Sequence, residues 1–378
     1  MIPAVASAVF LAAAAASTPT SAQSAPAWLP ADSAFVWSFP RDHWSHPGYR
    51  TEWWYFTGHL TPAGSSGARF GYQFTFFRIG LLTARPPLGS AWSTSDLVMG
   101  HLALSDFATG RHTFSELLYR AAPLLGGFSA PGDSLVAWSR GPAGTGGPWT
   151  LAWADSGFAI TARDDREAIA LSLLTVPAKP LVFQGPNGYS RKGPGPSTAS
   201  QYYSFTRLVT AGSVVVGADT MAVTGSSWMD KEFGSNQLAE GQVGWDWFSL
   251  QLDDGRELML YDLRRRDGSR DFARGTLIDA SGQATYLAAD DWSATVTARW
   301  RSPATGADYP ARWRVTVPRA GLTLEIEPLL AAQENVSRLV PGLAYWEGGV
   351  VVRDASGNVF GRGYVELTGY AEGGRLPI

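Results

Sequence analysis

The residues of this chain that could do chemistry are mainly carboxylic acids set among apolar and aromatic neighbours. Asp262 stands in "ELMLYDLRR". A carboxyl in apolar surroundings has its pKa raised, by up to about 3–5 units when fully buried. It then keeps its proton near neutrality and can act as a general acid. Arg264, two residues on, opposes this, because a guanidinium within about 4–6 Å favours the charged carboxylate. A proton donor and a structural Asp–Arg pair are both open readings. Asp230, Lys231 and Glu232 follow Trp228 in "SSWMDKEFGS". They read as a charged turn, or as Asp230 or Glu232 at the mouth of a pocket. Glu52 directly precedes Trp53, Trp54, Tyr55 and Phe56.

Near the C-terminus, "AYWEGGVVVRDASGNVFGRGYVELTGY" turns at Ser356-Gly357. Symmetric pairing about that turn places Glu347 opposite Glu366. Like charges directly opposite destabilise a sheet. Either one carboxyl holds a proton, or both meet Arg353 or Arg362, or a bulge near Gly361 or Gly363 shifts the register. Trp346 and Glu347 are candidate ligand contacts.

Other chemistries have less support. His43 and His46 have an H-x-x-H spacing, but their loop offers no third ligand, and zinc takes three or four. No metal and no cofactor are expected. His59 is expected to face the first barrel's interior, and His101 alternates as a strand residue; both read as hydrogen-bonded core histidines. The G-x-S-x-G nucleophile elbow does not occur. The absence of cysteine excludes disulfides, a lipoprotein anchor and a thiolate nucleophile. A net charge of −3 gives no reason to expect a nucleic-acid partner.

The elements that position these residues are predicted to be strands. From about residue 35 onward, short alternating runs are punctuated by Gly, Pro, Asp and Ser, and Gly plus Pro number 42 + 24 = 66. That pattern points to a sandwich or barrel. "FSELLYRAAPLL", residues 114–125, is the best candidate for a short helix. Residues 185–200, "GPNGYSRKGPGPSTAS", read as a long loop. The chain also repeats itself. "WWYFTGHL" (53–60) aligns with "WDWFSLQL" (245–252), matching Trp53 to Trp245, Tyr55 to Trp247 and Phe56 to Phe248. Each run is followed by a turn and a second apolar strand that closes on Arg78 or Arg264. This reads as an internal duplication.

A two-residue Asp254-Gly255 turn would set the second hairpin in a register that places Trp247 opposite Asp262. One face then carries Trp245, Trp247, Ser249, Gln251, Leu258, Leu260, Asp262 and Arg264. That mixture of aromatics and a few polar groups suits a small-molecule pocket. In "TEWWYF" the aromatics, Trp54 among them, point alternately into a barrel and against its neighbour. Glu52 is expected near a rim, within reach of water or a basic partner.

Residues 4–16 are apolar and Ala-rich, too short to span a bilayer, and resemble the apolar part of a signal peptide. Cleavage after Ala22 or Ala25 is expected. No later segment is apolar for about 18 residues, so no transmembrane helix is expected.

Several motifs together resemble the AttH-like predicted secreted hydrolases, which share a domain with carotenoid 1,2-hydratases. They are "FPRDHWSHPGYRTEWWYFTGHL", "SRKGPGPSTASQYYS", "SSWMDKEFGS", "GQVGWDWFSLQLDDGRELMLYDLRRRDGS" and "GYVELTGY". The resemblance covers about residues 38–372. It implies an all-β protein of two lipocalin-like antiparallel β-barrels packed side by side. The divisions are 1–25 as signal peptide, 36–235 as N-terminal domain and 236–375 as C-terminal domain. Hydratases use a Tyr and an Asp in a later strand, and Tyr261 and Asp262 are the nearest match. In the hydratase pattern a His and a Trp stand where this chain has Lys231 and Phe233, which argues against polyene hydration.

The expectation is a secreted or periplasmic protein that binds an apolar terpenoid-like or acyl-like molecule and acts on it by acid-assisted hydration or hydrolysis. A non-catalytic carrier is the alternative. Asp262, Tyr261, Asp230 and Glu232 are the candidate catalytic groups. Trp245, Trp247, Gln251, Glu52, Trp54, Arg264, Trp346 and Glu347 are the candidate ligand contacts.

Overall fold

The computed structural model describes residues 27–87, 89–195 and 198–372, so the expected signal segment lies outside the described residues. Strands alternate with tight turns throughout, and the described residues contain no α-helix, only four short 3-10 turns. The first sheet contains β1 (Thr51–Pro62), β2 (Phe70–Gly80), β3 (Asp96–Asp106), β4 (Arg111–Arg120), β5 (Gly126–Phe128), β6 (Leu135–Arg140) and β7 (Pro148–Ala154). It continues with β8 (Gly157–Asp164), β9 (Ile169–Pro177), β10 (Val182–Phe183), β11 (Tyr189–Arg191), β12 (Ala199–Val216) and β13 (Asp219–Gly234). The second sheet contains β14 (Gln242–Leu252), β15 (Glu257–Arg265), β16 (Arg270–Ile278), β17 (Ala284–Leu287) and β18 (Ser293–Arg301). It ends with β19 (Asp308–Val317), β20 (Leu322–Pro328), β21 (Glu334–Val336), β22 (Ala344–Arg353) and β23 (Val359–Thr368). The first sheet is a nearly closed barrel and the second a half-barrel, matching two lipocalin-like barrels.

The strand order supports the duplication. β1 lies between β2 and the closing strand β13, and β14 lies between β15 and the closing strand β23. The two matched hairpins therefore occupy equivalent places in their sheets. The order β4-β3-β2-β1-β13-β12-β9 has its counterpart in β17-β16-β15-β14-β23-β22-β20.

Two expectations of local structure are corrected. Residues 114–125 do not form a helix: Thr113, Ser115 and Leu117 alternate inward along β4, the period of a strand, and β4 pairs with β3. Within 185–200, Tyr189–Arg191 form β11, which pairs with β12.

Each sheet buries one aromatic face in its own interior. Trp54, Phe56, Phe74 and Trp149 fill the first barrel, and Phe248, Leu250, Leu260 and Trp313 fill the second. The opposite faces meet each other through Tyr55, Tyr202, Trp228, Trp247, Met259, Tyr261, Leu263 and Tyr364. Alternation along one strand thus explains four consecutive aromatics: Trp54 and Phe56 point inward, while Trp53 and Tyr55 face the other barrel. Glycine permits the close approach of the sheets at Gly71, where a Cβ would lie 2.5 Å from the Tyr364 hydroxyl.

Candidate functional site

Between the barrels is a cleft of about 710 Å³, part of it open to solvent. The first sheet and its loops contribute Trp53, Tyr55, Gln73, Phe77, Lys192, Tyr202, Asp230, Glu232, Gln237 and Leu238. The second contributes Trp245, Trp247, Tyr261, Leu263 and Glu366. The duplication builds its centre. Tyr55 is paired with Asp230 across β1 and β13, and Trp247 is paired with Glu366 across β14 and β23. Each repeat supplies one aromatic–carboxyl rung. The rungs meet with Tyr55 edge-on against Trp247, ring centroids 5.2 Å apart.

The two carboxyls sit in different surroundings. Asp230 accepts hydrogen bonds from the Tyr202 hydroxyl at 2.6 Å, from the Trp228 indole at 2.7 Å and from Ser204. Burial still outweighs these donors and pushes its pKa up to about 7. Glu366 accepts one bond, from the Trp245 indole at 2.9 Å. Burial, with the charges of Asp230 and Glu232 added, pushes it to about 7 as well. Glu232 is paired with Lys192 at 2.9 Å and accepts from Ser200. Burial alone would lower the Lys192 pKa, but Glu232 and its neighbours outweigh that and hold it above its usual value. The Lys192 ammonium also lies over the rings of Tyr261, at 4.3 Å, and Tyr202, at 4.9 Å. The Tyr261 hydroxyl donates to the Arg191 carbonyl at 2.5 Å.

Of the residues singled out from sequence, Asp230, Glu232, Tyr261, Trp245 and Trp247 come together in this cleft. Asp262 does not, because the hairpin register differs by one. The turn holds three residues, Asp253–Gly255, with Gly255 at φ +85, so Leu252 rather than Asp253 bonds with Arg256. Trp247 therefore pairs with Tyr261, and Asp246 with Asp262. A shift of one residue sends every side chain of a strand to the other face. Asp262 is paired with Arg270 at 2.8 Å, and Arg264 with Asp246 at 2.7 Å. Neither lines the cleft.

Four further candidates also lie outside the cleft wall. Trp54 points into the first barrel and Trp346 into the second. Gln251 bridges the sheets by donating to the carbonyls of Thr206 and Ser227. Glu52 is fully buried rather than reachable by water at a rim. It meets Lys231, Arg78 and His46, and these partners overcome the effect of burial and hold its carboxyl well below the usual range. Burial lowers Lys231 to about 7, against the pull of Glu52.

Glu347 stands one layer behind the cleft, opposite Glu366, a pairing set by the bulge between Val352 and Arg353. His59 faces the second sheet, where it bonds the Gly363 carbonyl at 2.9 Å, and not the first barrel's interior. Its neighbours on β1 explain this: Trp53, Tyr55 and His59 share a face. His101 bonds the Tyr345 hydroxyl at 2.7 Å.

Sequence reasoning missed Tyr55, Tyr202, Lys192 and Trp53 as cleft residues. The duplication held the signal for two of them, since Trp53 and Tyr55 align with Trp245 and Trp247. Tyr202 and Lys192 arrive from β12 and the segment before it, for which the hairpins give no register.

The chain belongs to the AttH-like family, whose model matches residues 30–370. It is similar to the crystal structure of a protein assigned to AttH from Nitrosomonas europaea. The two are 34% identical, with 91% of this chain and 100% of that chain covered and a TM-score of 0.79. A second similar structure is the kievitone hydratase of Nectria haematococca, at 13% identity and TM-score 0.63, covering 89% of this chain and 94% of that one. That likeness is one of fold. No curated protein matches the chain.

Proposed function

We propose that the chain binds an apolar, terpenoid-like or acyl-like small molecule in the cleft between its barrels and acts on it by acid-assisted hydration or hydrolysis. The observation that carries this reading is the juxtaposition of Asp230 and Glu366, both with pKa raised to about 7, inside walls made of Trp53, Phe77, Trp245, Trp247 and Leu263. Near neutrality each is close to half-protonated, so one can give a proton while the other accepts one. General acid–base catalysis works best when the pKa lies near the working pH. Asp230, receiving three hydrogen bonds, is the better base, because those donors favour its charged form. Glu366, receiving one, is the better acid. In an addition of water, the acid protonates the substrate and the base takes a proton from the attacking water. The hydratase fold shared with the Nectria protein is consistent with this reaction class.

Gln237 supports a ligand with a polar end. It is buried on the cleft wall, and its side-chain oxygen has no hydrogen-bond partner. A ligand hydroxyl can supply the missing donor. The carrier reading rests on the apolar wall alone. We also propose export, on the strength of the N-terminal apolar run; the first residue of the cell-made protein should fall between Gln23 and Trp28 by N-terminal sequencing.

The test is native mass spectrometry of the protein from its own host, followed by turnover of whatever molecule travels with it. Asp230→Asn should lower turnover by about 10²–10⁴-fold while the molecule still binds. Binding with no turnover by the wild-type protein would leave the carrier.

A further inference from the structure

Behind Glu366 lies a second carboxyl that the reading above does not use. Glu347 is paired with Glu366 on adjacent strands, and the two side chains share one face of the sheet. Directly opposed residues of an antiparallel pair hold their Cβ atoms about 4.5–5.5 Å apart. Glu347 is fully buried, while Glu366 lines the cleft. One Glu347 oxygen accepts the Tyr55 hydroxyl, and the other has no partner. Among the described residues no lysine or arginine is paired with either carboxyl. Arg353, which the sequence offers as a neutralising partner, is bonded to Glu327 and the Gly357 carbonyl instead.

The titratable groups that act most on the pair among the described residues are tyrosines and carboxyls, and the Lys192 ammonium in the same cleft is paired with Glu232. Tyr55 faces the pair from β1, Tyr345 stands beside Glu347 on β22, and Tyr364 comes from β23. Asp230 and Glu232 act on Glu366 from β13. Glu347 is fully buried and Glu366 half-buried, and a buried carboxyl with no cation and a second carboxyl on the paired strand favours its neutral form. A proton on the pair is therefore favoured.

We propose that Glu347 holds that proton and passes it to Glu366, so that Glu366 can act as an acid in successive turnovers. This rests on the reading of Glu366 as the cleft acid. The step moves one proton. Glu347 passes it to the Glu366 carboxylate, and Glu366 gives it to the bound molecule. Glu347, now a carboxylate, keeps the hydrogen bond from Tyr55. Asp230 has meanwhile taken one proton from water, so the total charge is unchanged. The starting state returns when Asp230 loses that proton to solvent in the open part of the cleft and Glu347 regains one through Glu366. Burial, with Glu366 beside it, raises the Glu347 pKa well above the usual range, as a proton reservoir needs. Glu347 does not line the cleft, so its role is to supply and position the proton on Glu366.

Infrared spectroscopy of the whole protein at neutral pH, without ligand, tests where the proton sits. Glu347→Gln preserves shape but cannot carry an acid proton. The protonated-carboxyl band of the wild-type protein should lose one component in Glu347→Gln. An unchanged band means that Glu347 is ionised, and overturns the proposal. If Glu347→Gln fails to fold, Tyr55→Phe serves instead: loss of the hydrogen bond should move the same component to higher frequency, and an unmoved band overturns the proposal equally. With a substrate in hand, Glu347→Gln should slow turnover by about 10²-fold at unchanged KM. Unchanged turnover removes the relay. Because the infrared result needs no substrate, a wrong reading of the protein's function would leave it interpretable.

Discussion

Asp230 is an acid whose burial favours the neutral form, and that has a measurable consequence for stability. In the unfolded chain an Asp titrates near about 3.9. Folded, Asp230 titrates at about 7. Between those values the folded state binds the extra proton, so stability falls as pH rises. The contribution is complete below the unfolded pKa and is lost once pH passes the folded one. Asn has no such dependence. The melting temperature of Asp230→Asn should therefore gain on that of the wild type as pH rises from about 4 to about 7, then level off. A difference that is flat with pH would show that the Asp230 pKa is not raised. Asp262 provides the contrast. It carries the same residue type, and burial also raises its pKa against the Arg270 ion pair, but it lies on the far side of its sheet. Asp262→Asn should leave turnover unchanged. It should cost less than about 1 kcal/mol by chemical denaturation, because its partner Arg270 is partly exposed.

At the scale of elements, one residue of turn length decides whether Asp262 reaches the cleft. The sequence "DDGR" is compatible with a two-residue or a three-residue loop. Only the Leu252–Arg256 hydrogen bonding distinguishes them, and the whole face assignment of β15 follows from it. In the last hairpin the expected rung, Glu347 opposite Glu366, is reached by compensation: the turn holds three residues, 355–357, and a bulge between Val352 and Arg353 restores the register that a two-residue turn would have set. The β4 segment was misread because its apolar residues also fit a helical period, and pairing with β3 outweighed local preference. Glu52 was legible as a carboxylate with basic partners. Its complete burial was not, because the covering segment is held by contacts distant in sequence. Arg78 donates to Glu52 and to the carbonyls of His46 and Tyr49, tying residues 46–49 to the end of the first barrel. Glu52→Gln should leave Lys231 and Arg78 short of their shared anion. Breaking a buried pair costs roughly 3–5 kcal/mol. Urea denaturation should register a loss of that size; a loss under about 1 kcal/mol would mean that Arg78 is compensated by Asp96 alone, its other partner at 2.7 Å.

The whole molecule is two repeats whose outer faces, rather than their interiors, make the site. In this chain the interiors of the barrels are filled by Trp54, Phe74, Trp149 and Trp313, and the cleft lies where the repeats meet. That arrangement makes the proposed chemistry depend on the inter-barrel contact. Trp247 is central to it: its ring meets Tyr55 and Trp228 of the first repeat, and its indole donates to Tyr202 at 3.2 Å. Truncating a buried Trp to Ala typically costs 3–5 kcal/mol. Here much of that loss falls on the interface, since each barrel keeps its own core. The wild-type protein should unfold in one calorimetric transition, with the van't Hoff and calorimetric enthalpies equal. Trp247→Ala should uncouple the repeats, so that the heat absorption splits into two transitions and the cleft no longer retains a bound molecule. A single transition at a lower temperature, with binding intact, would show that the barrels are coupled mainly through the surrounding contacts, such as His59 with Gly363 and Gln251 with Thr206 and Ser227, and that the aromatic rungs serve the ligand alone.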